Sequence, residues 1–217
     1  MARCRELCSQ SGALLILDEV MTGFRVALGG AQALYAQQIP GFAPDLTVLG
    51  KVIGGGMPLA AFGGKRAVME QLAPLGSVYQ AGTLSGNPLA TACGLATLQQ
   101  VKQAGFYEAL SASTQSLVQG LQQAASAAGL PFASDSQGGM FGFFLLPQLA
   151  QNYQQVMQTN SAQFNQLFHG LLERGVYIAP ALYEAGFVSS AHTPQDIEAS
   201  VAAAAQVFAQ LAKSEQK

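Results

Sequence analysis

The first clear feature along the chain is an unbroken apolar run, Ala13-Leu14-Leu15-Ile16-Leu17, preceded by the turn pair Ser11-Gly12 and ended by Asp18-Glu19. A continuous run, as opposed to an alternating one, predicts a strand covered on both faces, as in a parallel sheet between helices. Two shorter runs follow, 46–49 ending at Gly50-Lys51 and 59–62 ending at Gly63-Gly64. From there the pattern turns helical. Asn87-Pro88 reads as an N-cap with proline at the first helical position, opening a helix that extends to Gly105, and a second helix is expected over 106–128. The composition shifts here towards Gln, Ser and Ala, which places a domain boundary near Gly105 and gives domains of 1–105 and 106–217.

Beyond that boundary the pattern predicts strands over 131–133 and 140–146, a helix over 161–173 and a short strand over 176–178. Thr193-Pro194-Gln195-Asp196 has the form of a capping box, and Ile197, Val201, Ala204, Phe208 and Leu211 follow at helical spacing. The tail 213–217 is expected to fray, and the Gln-rich stretch 148–166 to form an uncharged solvated surface. Strands alternating with helices, then a smaller mixed segment, predict an α/β fold with a mostly parallel sheet followed by an α+β domain.

Composition narrows the function. Only 10% of the 217 residues are charged while 50% are hydrophobic, so extensive disorder is excluded. A net charge of -2 with no basic block argues against nucleic-acid binding. No apolar stretch reaches membrane-spanning length, and the charged start Arg3-Cys4-Arg5-Glu6 is unlike a signal peptide, so a cytoplasmic protein with no membrane partner is expected. Cys4, Cys8 and Cys93 cannot all pair and lack the companions of a zinc site, so reduced thiols and no metal are expected.

Three segments place distinctive groups where strands end or helices begin. Asp18 closes an apolar strand, a costly place for a carboxylate unless it caps a turn or meets a cation. Lys51 stands between a strand and Gly54-Gly55-Gly56; the order is wrong for a Walker loop, and the glycines do not fit GxGxxG. Gly82, Thr83 and Ser85 lead into the helix at Pro88, where amides and hydroxyls near a helix N-terminus suit an anion, although an ordinary glycine turn has the same composition. An acid, an amine and an anion cradle together match pyridoxal 5'-phosphate. The lysine can form a Schiff base with its aldehyde, the loop can bind its phosphate, and the acid can keep its ring nitrogen protonated. At an effective dielectric of about 20 and a separation of about 4 Å, such a pair is worth about 4 kcal/mol, roughly three pKa units.

At these residues the sequence resembles a known family. Asp18-Glu19-Val20 with Thr22-Gly23-Phe24, Lys51 before Gly54-Gly55-Gly56-Met57-Pro58, and Gly86-Asn87-Pro88-Leu89-Ala90 are similar to the signature segments of class III, fold-type I pyridoxal-phosphate enzymes. Ala81-Gly82-Thr83-Leu84-Ser85 and Glu184-Ala185-Gly186-Phe187-Val188-Ser189-Ser190-Ala191-His192-Thr193 resemble most the branch of aminomutases that convert glutamate 1-semialdehyde, (S)-4-amino-5-oxopentanoate, to 5-aminolevulinate for tetrapyrrole synthesis. The resemblance implies that Lys51 is the Schiff-base lysine and proton shuttle, that Asp18 pairs with the ring nitrogen, and that Val20 packs on a ring face. It implies that Gly82 and Thr83 reach the phosphate of a neighbouring subunit's cofactor in a homodimer, and that Glu184 lines the substrate site. His169 and His192 are expected to serve in ordinary polar packing. The last arginine is Arg174, so the carboxylate-binding arginine that related aminotransferases usually carry near the chain's end has no counterpart, which favours the mutase over an aminotransferase with another amine. Family members carry about as many residues again ahead of the position matching Met1, so the chain is expected to correspond to the C-terminal half of such an enzyme. A non-catalytic truncated remnant is the alternative, and in either case weak cofactor binding and little turnover are expected of the 217 residues alone.

Overall fold

The computed structural model describes residues 1–214. It divides into two compact units, Met1–Tyr107 and Glu108–Lys217. The first unit opens with helix α1 (Ala2–Ser11), strand β1 (Ile16–Asp18), helix α2 (Gly30–Gln38) and strand β2 (Leu46–Leu49). A 3-10 turn (Lys51–Gly54), strand β3 (Ala61–Gly64), a short helix α3 (Arg66–Met69) and helix α4 (Pro88–Val101) follow. The sheet order is β1-β2-β3. β1 runs parallel to β2 with Asp18 opposite Val48, whereas β3 is antiparallel to β2 with Ala61 opposite Leu49. The α/β architecture is the one expected; among the described residues its three strands make one parallel and one antiparallel pair, because the chain turns straight back at Met57-Pro58 instead of crossing over through a helix.

One acidic side chain ties the sheet's lower end together. Asp45, with its side chain only 5% exposed, accepts hydrogen bonds from the Leu15 N–H (2.6 Å), Arg5 of α1 (2.6 Å) and Lys65 just past β3 (2.6 Å). The Leu15 amide and these two cations hold its carboxyl well below the usual carboxylate range. At the other end, the turn Lys51–Gly54 packs on α4 so closely that Gly94 lies against the Ile53 carbonyl, where a Cβ would collide. Asn87 caps α4 as expected, its side-chain oxygen accepting from the Leu89 and Ala90 N–H groups at 2.9 and 3.2 Å.

The expectation that the first apolar run is covered on both faces is corrected. β1 is shorter than the run and lies at the sheet edge, and Leu14 and Ile16, two residues apart on one face, are 52% and 55% exposed. The third apolar run also forms its strand later than expected, at Ala61–Gly64 instead of 59–62.

The second unit comprises helix α5 (Phe106–Ala127, whose first turn holds the division), strands β4 (Ala133–Gln137) and β5 (Met140–Phe144) and helices α6 (Tyr153–Val156) and α7 (Ser161–Leu172). It ends with strand β6 (Gly186–Phe187) and helix α8 (Pro194–Ser214). Its sheet is antiparallel throughout, in the order β4-β5-β6. The core is built by Ala125 of α5, Phe132, Leu145, Leu167 and Leu171 of α7, and Val207, Phe208 and Leu211 of α8. Phe132 stacks on Phe143 with centroids 5.3 Å apart and meets Phe208 edge-on at 5.6 Å. α8 begins with the expected reciprocal cap. Thr193 donates through its N–H and hydroxyl to Asp196 Oδ2, both at 2.7 Å, and its Oγ1 accepts from the Asp196 N–H at 3.2 Å.

Three expectations fail here. The strand expected over 131–133 forms later, as β4 at Ala133–Gln137, sharing only Ala133 with the apolar run, because its pairing with β5 fixes it. Residues 176–178 form no strand, and β5 takes Gly186–Phe187 as its partner instead; a three-residue apolar run bounded by Gly175 and Pro180 carries too little local preference to choose its pairing. The Gln-rich stretch is not simply a solvated surface, since Thr159, Gln163 and Phe164 are buried and Asn160 caps α7 through the Ala162 and Gln163 amides. Of the tail expected to fray, Lys213 and Ser214 complete α8, and 215–217 lie outside the described residues.

Candidate active site

The parallel pairing of β1 and β2 brings two of the sequence candidates to one edge of the sheet. Asp18 is the last residue of β1, in register with Val48, and Lys51 follows two residues after Leu49, the end of β2. Both therefore emerge at the carboxyl edge of adjacent parallel strands, where open α/β sheets bind ligands. Asp18 is exposed, and its Oδ1 accepts from the Val20 N–H at 2.9 Å. Lys51 is exposed too, and its ammonium forms no ion pair among the described residues.

The backbone at Lys51 is unusual. Its φ is 47°, in the left-handed region that a residue with a Cβ enters at a cost of about 1–2 kcal/mol. The cost is met by packing immediately downstream, where Ile53 is 5% exposed, Gly54 is buried against Leu59 and Gly55 lies against Cys93 and Thr97 of α4. Sequence reasoning singled out Lys51 but carried no signal for this strain, which sits at a chemically distinctive residue as strain often does in functional sites. Phe24, at φ 56°, is the other such residue among those described, and its carbonyl accepts the Tyr107 hydroxyl at 3.0 Å. Burial raises the Tyr107 hydroxyl above its ordinary range, and burial lowers the nearby Arg25 guanidinium.

Val20 stands next to both groups. A methyl group placed on Gly50 would meet Val20 Cγ1 at 3.3 Å, so the Val20 side chain lies against the residue that precedes Lys51. Gly82 and Thr83 occupy an exposed turn ahead of α4. Within it the Ser85 N–H donates to the Gly82 carbonyl at 2.9 Å, and the first free amides of α4 are already taken by Asn87. The groups this segment leaves for an anion are therefore the turn's own amides and the Thr83 and Ser85 hydroxyls, not the helix terminus. Between this turn and the sheet lies an open cavity of about 500 Å³, bordered by Val48, Ala61, Phe62, Gly82 and Ser85 but not by Asp18 or Lys51.

Glu184 lies in the second unit, exposed, on the rim of a larger cavity of about 620 Å³. That cavity is walled by Phe132, Phe141, Phe143 and Phe208, and such an apolar lining offers little to a charged reaction centre. His192 accepts at Nδ1 from the Ser189 N–H at 3.0 Å, and the His169 ring meets Phe168 edge-on, so both histidines are engaged locally. Arg174, the last arginine, donates to the Gly170 carbonyl at 2.8 Å and to Gln206 at 3.1 Å. Among the described residues no group of three or more His, Cys, Asp or Glu is placed to hold a metal, all three cysteines are free, and no helix is long and apolar enough to cross a membrane.

Comparison with known proteins joins this geometry to a family. The model of the class-III aminotransferases matches residues 1–193. The glutamate-1-semialdehyde 2,1-aminomutase of Verminephrobacter eiseniae (strain EF01-2) is 76% identical over 98% of this chain and 49% of its own length. Among solved structures, an omega-transaminase from Sphaerobacter thermophilus aligns with a TM-score of 0.83 at 30% identity, covering 98% of this chain and 47% of its own. A glutamate-1-semialdehyde-aminomutase from Pseudomonas aeruginosa PAO1 aligns at 0.80 and 25% identity, covering 97% and 47%. The chain spans about half the length of the curated relatives it matches. A carboxylate and an amine at one edge of a parallel strand pair, within a sequence matched over nearly all its length, lead to one conclusion: this chain belongs to the class-III aminotransferase family.

Proposed function

We propose that the chain is the C-terminal half of a pyridoxal-5'-phosphate-dependent glutamate-1-semialdehyde 2,1-aminomutase. In this reading the first unit is part of the cofactor-binding large domain and the second is the small domain. The observation that carries the proposal is the placement of Asp18 and Lys51 at the same carboxyl edge of β1 and β2, in a sequence 76% identical to a named aminomutase. The residues fit the cofactor by the chemistry of their donor set: an exposed carboxylate, an amine with no ion-pair partner among the described residues, and a turn rich in amides and hydroxyls.

When bound, pyridoxal phosphate supplies an exchangeable amino group and an electron sink. Lys51 would provide the amine that holds the cofactor covalently and would then serve as the proton shuttle between the cofactor and the substrate carbons. Asp18 accepts a hydrogen bond from the protonated ring nitrogen and so preserves the sink. Val20 packs on one ring face, and Gly82 and Thr83 bind the phosphate of a second subunit's cofactor, which makes the working form a homodimer. Glu184 lines the substrate site. The net change moves the amino group of (S)-4-amino-5-oxopentanoate from C4 to C5 and the oxo group the other way, giving 5-aminolevulinate without net oxidation or a second substrate. Tetrapyrrole synthesis in the cytoplasm is the setting that follows.

An aminotransferase acting on another amine is the competing reading, and the strong fold match to an omega-transaminase keeps it in view. Arg174 favours the mutase, because this last arginine is committed to Gly170 and Gln206 and offers no guanidinium to an amino-acid carboxylate.

Borohydride reduction in the presence of pyridoxal phosphate, followed by peptide mapping, tests the site. The adduct is expected on Lys51 and absent in K51A; labelling spread over Lys65 and Lys102 would overturn the assignment. Conversion of glutamate 1-semialdehyde by the full-length polypeptide without any added amino donor then separates mutase from aminotransferase.

A further inference from the structure

Glu19 has no part in the chemistry above, yet its side chain is wholly buried, at 0% exposure. Burying a carboxylate is costly unless both oxygens find donors, and here they do. Oε2 accepts from the Thr22 hydroxyl at 2.6 Å and the Ala31 N–H at 2.8 Å, while Oε1 accepts from the Gln32 N–H at 2.6 Å. Ala31 and Gln32 lie in the first turn of α2, whose unpaired amides and dipole suit an anion. The backbone of Glu19 is held as well. Its N–H donates to the Val48 carbonyl at 2.8 Å, extending the β1–β2 ladder by one residue, and its carbonyl accepts from the Gly23 N–H at 2.7 Å.

Glu19 is thus pinned to β2, to α2 and to its own following turn. That turn carries Val20, whose N–H orients the Asp18 carboxylate at 2.9 Å and whose side chain lies against Gly50, next to Lys51. Asp18 and Glu19 point to opposite sides of the strand end, as successive strand residues do, so one is exposed while the other is buried. We propose that Glu19 is a positioning residue: by anchoring the turn after β1 to the start of α2, it sets the direction of the Asp18 carboxylate and the placement of Val20 relative to Lys51. The inference rests on the reading of Asp18 as the partner of the cofactor's ring nitrogen. It assigns Glu19 an influence on the cofactor that a mere helix cap lacks.

The test uses the full-length polypeptide carrying this chain, loaded with pyridoxal phosphate, with variants D18N, E19Q, T22V and T22S. Three quantities are read: cofactor stoichiometry, the cofactor dissociation constant, and the pH midpoint of the bound cofactor's absorbance transition. D18N sets the direction in which that midpoint moves when the carboxylate is lost. E19Q, which turns an acceptor oxygen into a donor facing N–H groups, is expected to move it the same way by about half a pH unit or more and to raise the dissociation constant about fivefold to tenfold. T22V is expected to move it less, and T22S, which keeps the hydroxyl, to restore it. A loaded E19Q protein with an unmoved midpoint, alongside a shifted D18N, makes Glu19 purely structural and overturns the proposal while sparing the reading of Asp18. An unmoved midpoint in D18N overturns both. Should E19Q fail to fold, the T22V and T22S pair decides the matter, an unmoved T22V midpoint counting against the proposal.

Discussion

Val20 lies against Gly50, with only 3.3 Å between its Cγ1 and the position a Cβ would take on that glycine. The two residues follow β1 and β2, and each neighbours a group assigned to the chemistry: Val20 orients Asp18, and Gly50 leads into Lys51. Gly50→Ala is therefore expected to push Val20 and the strained Lys51 backbone apart by a few tenths of an ångström. Cofactor affinity should fall about tenfold, equivalent to about 1.4 kcal/mol, with little loss of fold stability. Equilibrium titration with pyridoxal phosphate measures it, and unchanged affinity would show that the contact does not set the site.

Gly30 presents the opposite balance. It adopts φ 65°, and a Cβ there would run into the Glu19 carboxylate. Gly30→Ala combines a left-handed backbone with a collision against a buried charged group, so it should destabilise the first unit by at least about 2 kcal/mol. Denaturant unfolding reports the change, and a loss below about 0.5 kcal/mol would mean that α2 shifts freely, contrary to the anchoring described.

Asp45 makes stability depend on pH. Its carboxyl is held below the ordinary range by the Leu15 amide, Lys65 and Arg5, so the folded state binds its proton more weakly than the unfolded chain does. The contribution is complete above the unfolded carboxylate value of about 3.9, shrinks as pH falls below it, and is gone once the folded carboxyl is itself protonated. Asp45→Asn should lower stability at pH 7 and flatten the acid limb of the stability profile between about pH 4 and pH 2. Unfolding midpoints collected across that window check it; a parallel downward shift with an unaltered acid limb would exclude Asp45 as the source.

Asn87 supports α4, the helix that backs the Lys51 turn. Replacing it with alanine removes the acceptor for two amides and should cost about 1 kcal/mol. Amide exchange at Leu89 and Ala90 should then accelerate about fivefold. Exchange that stays protected at both positions would show that another group takes over the cap.

Much of the local structure was legible before any coordinates. The Asn87-Pro88 and Thr193-Asp196 caps form the hydrogen bonds their residue types imply, because a cap is settled within three or four residues. β2 and the long helices follow their apolar runs and spacing for the same reason. The short runs misled: residues 176–178 form no strand, and Gly186–Phe187 does, since the pairing of so brief a segment is settled by what lies beside it.

The chemically distinctive residues divide along the same line. Asp18 and Lys51 were legible as candidates because an acid and an amine at the ends of apolar runs are conspicuous in one dimension. That they share an edge depends on the parallel register of β1 and β2, a contact across some thirty residues of chain that no local pattern encodes. Glu19 shows the limit most clearly. In the sequence it is a second acid beside Asp18; in the fold it is the fully buried one, because β1 ends where α2 begins and only one side of the strand faces those amides. Local chemistry determined which groups are available, and tertiary contact alone decided which carboxylate meets solvent and which holds the turn, since burial is a property of neighbours distant in sequence.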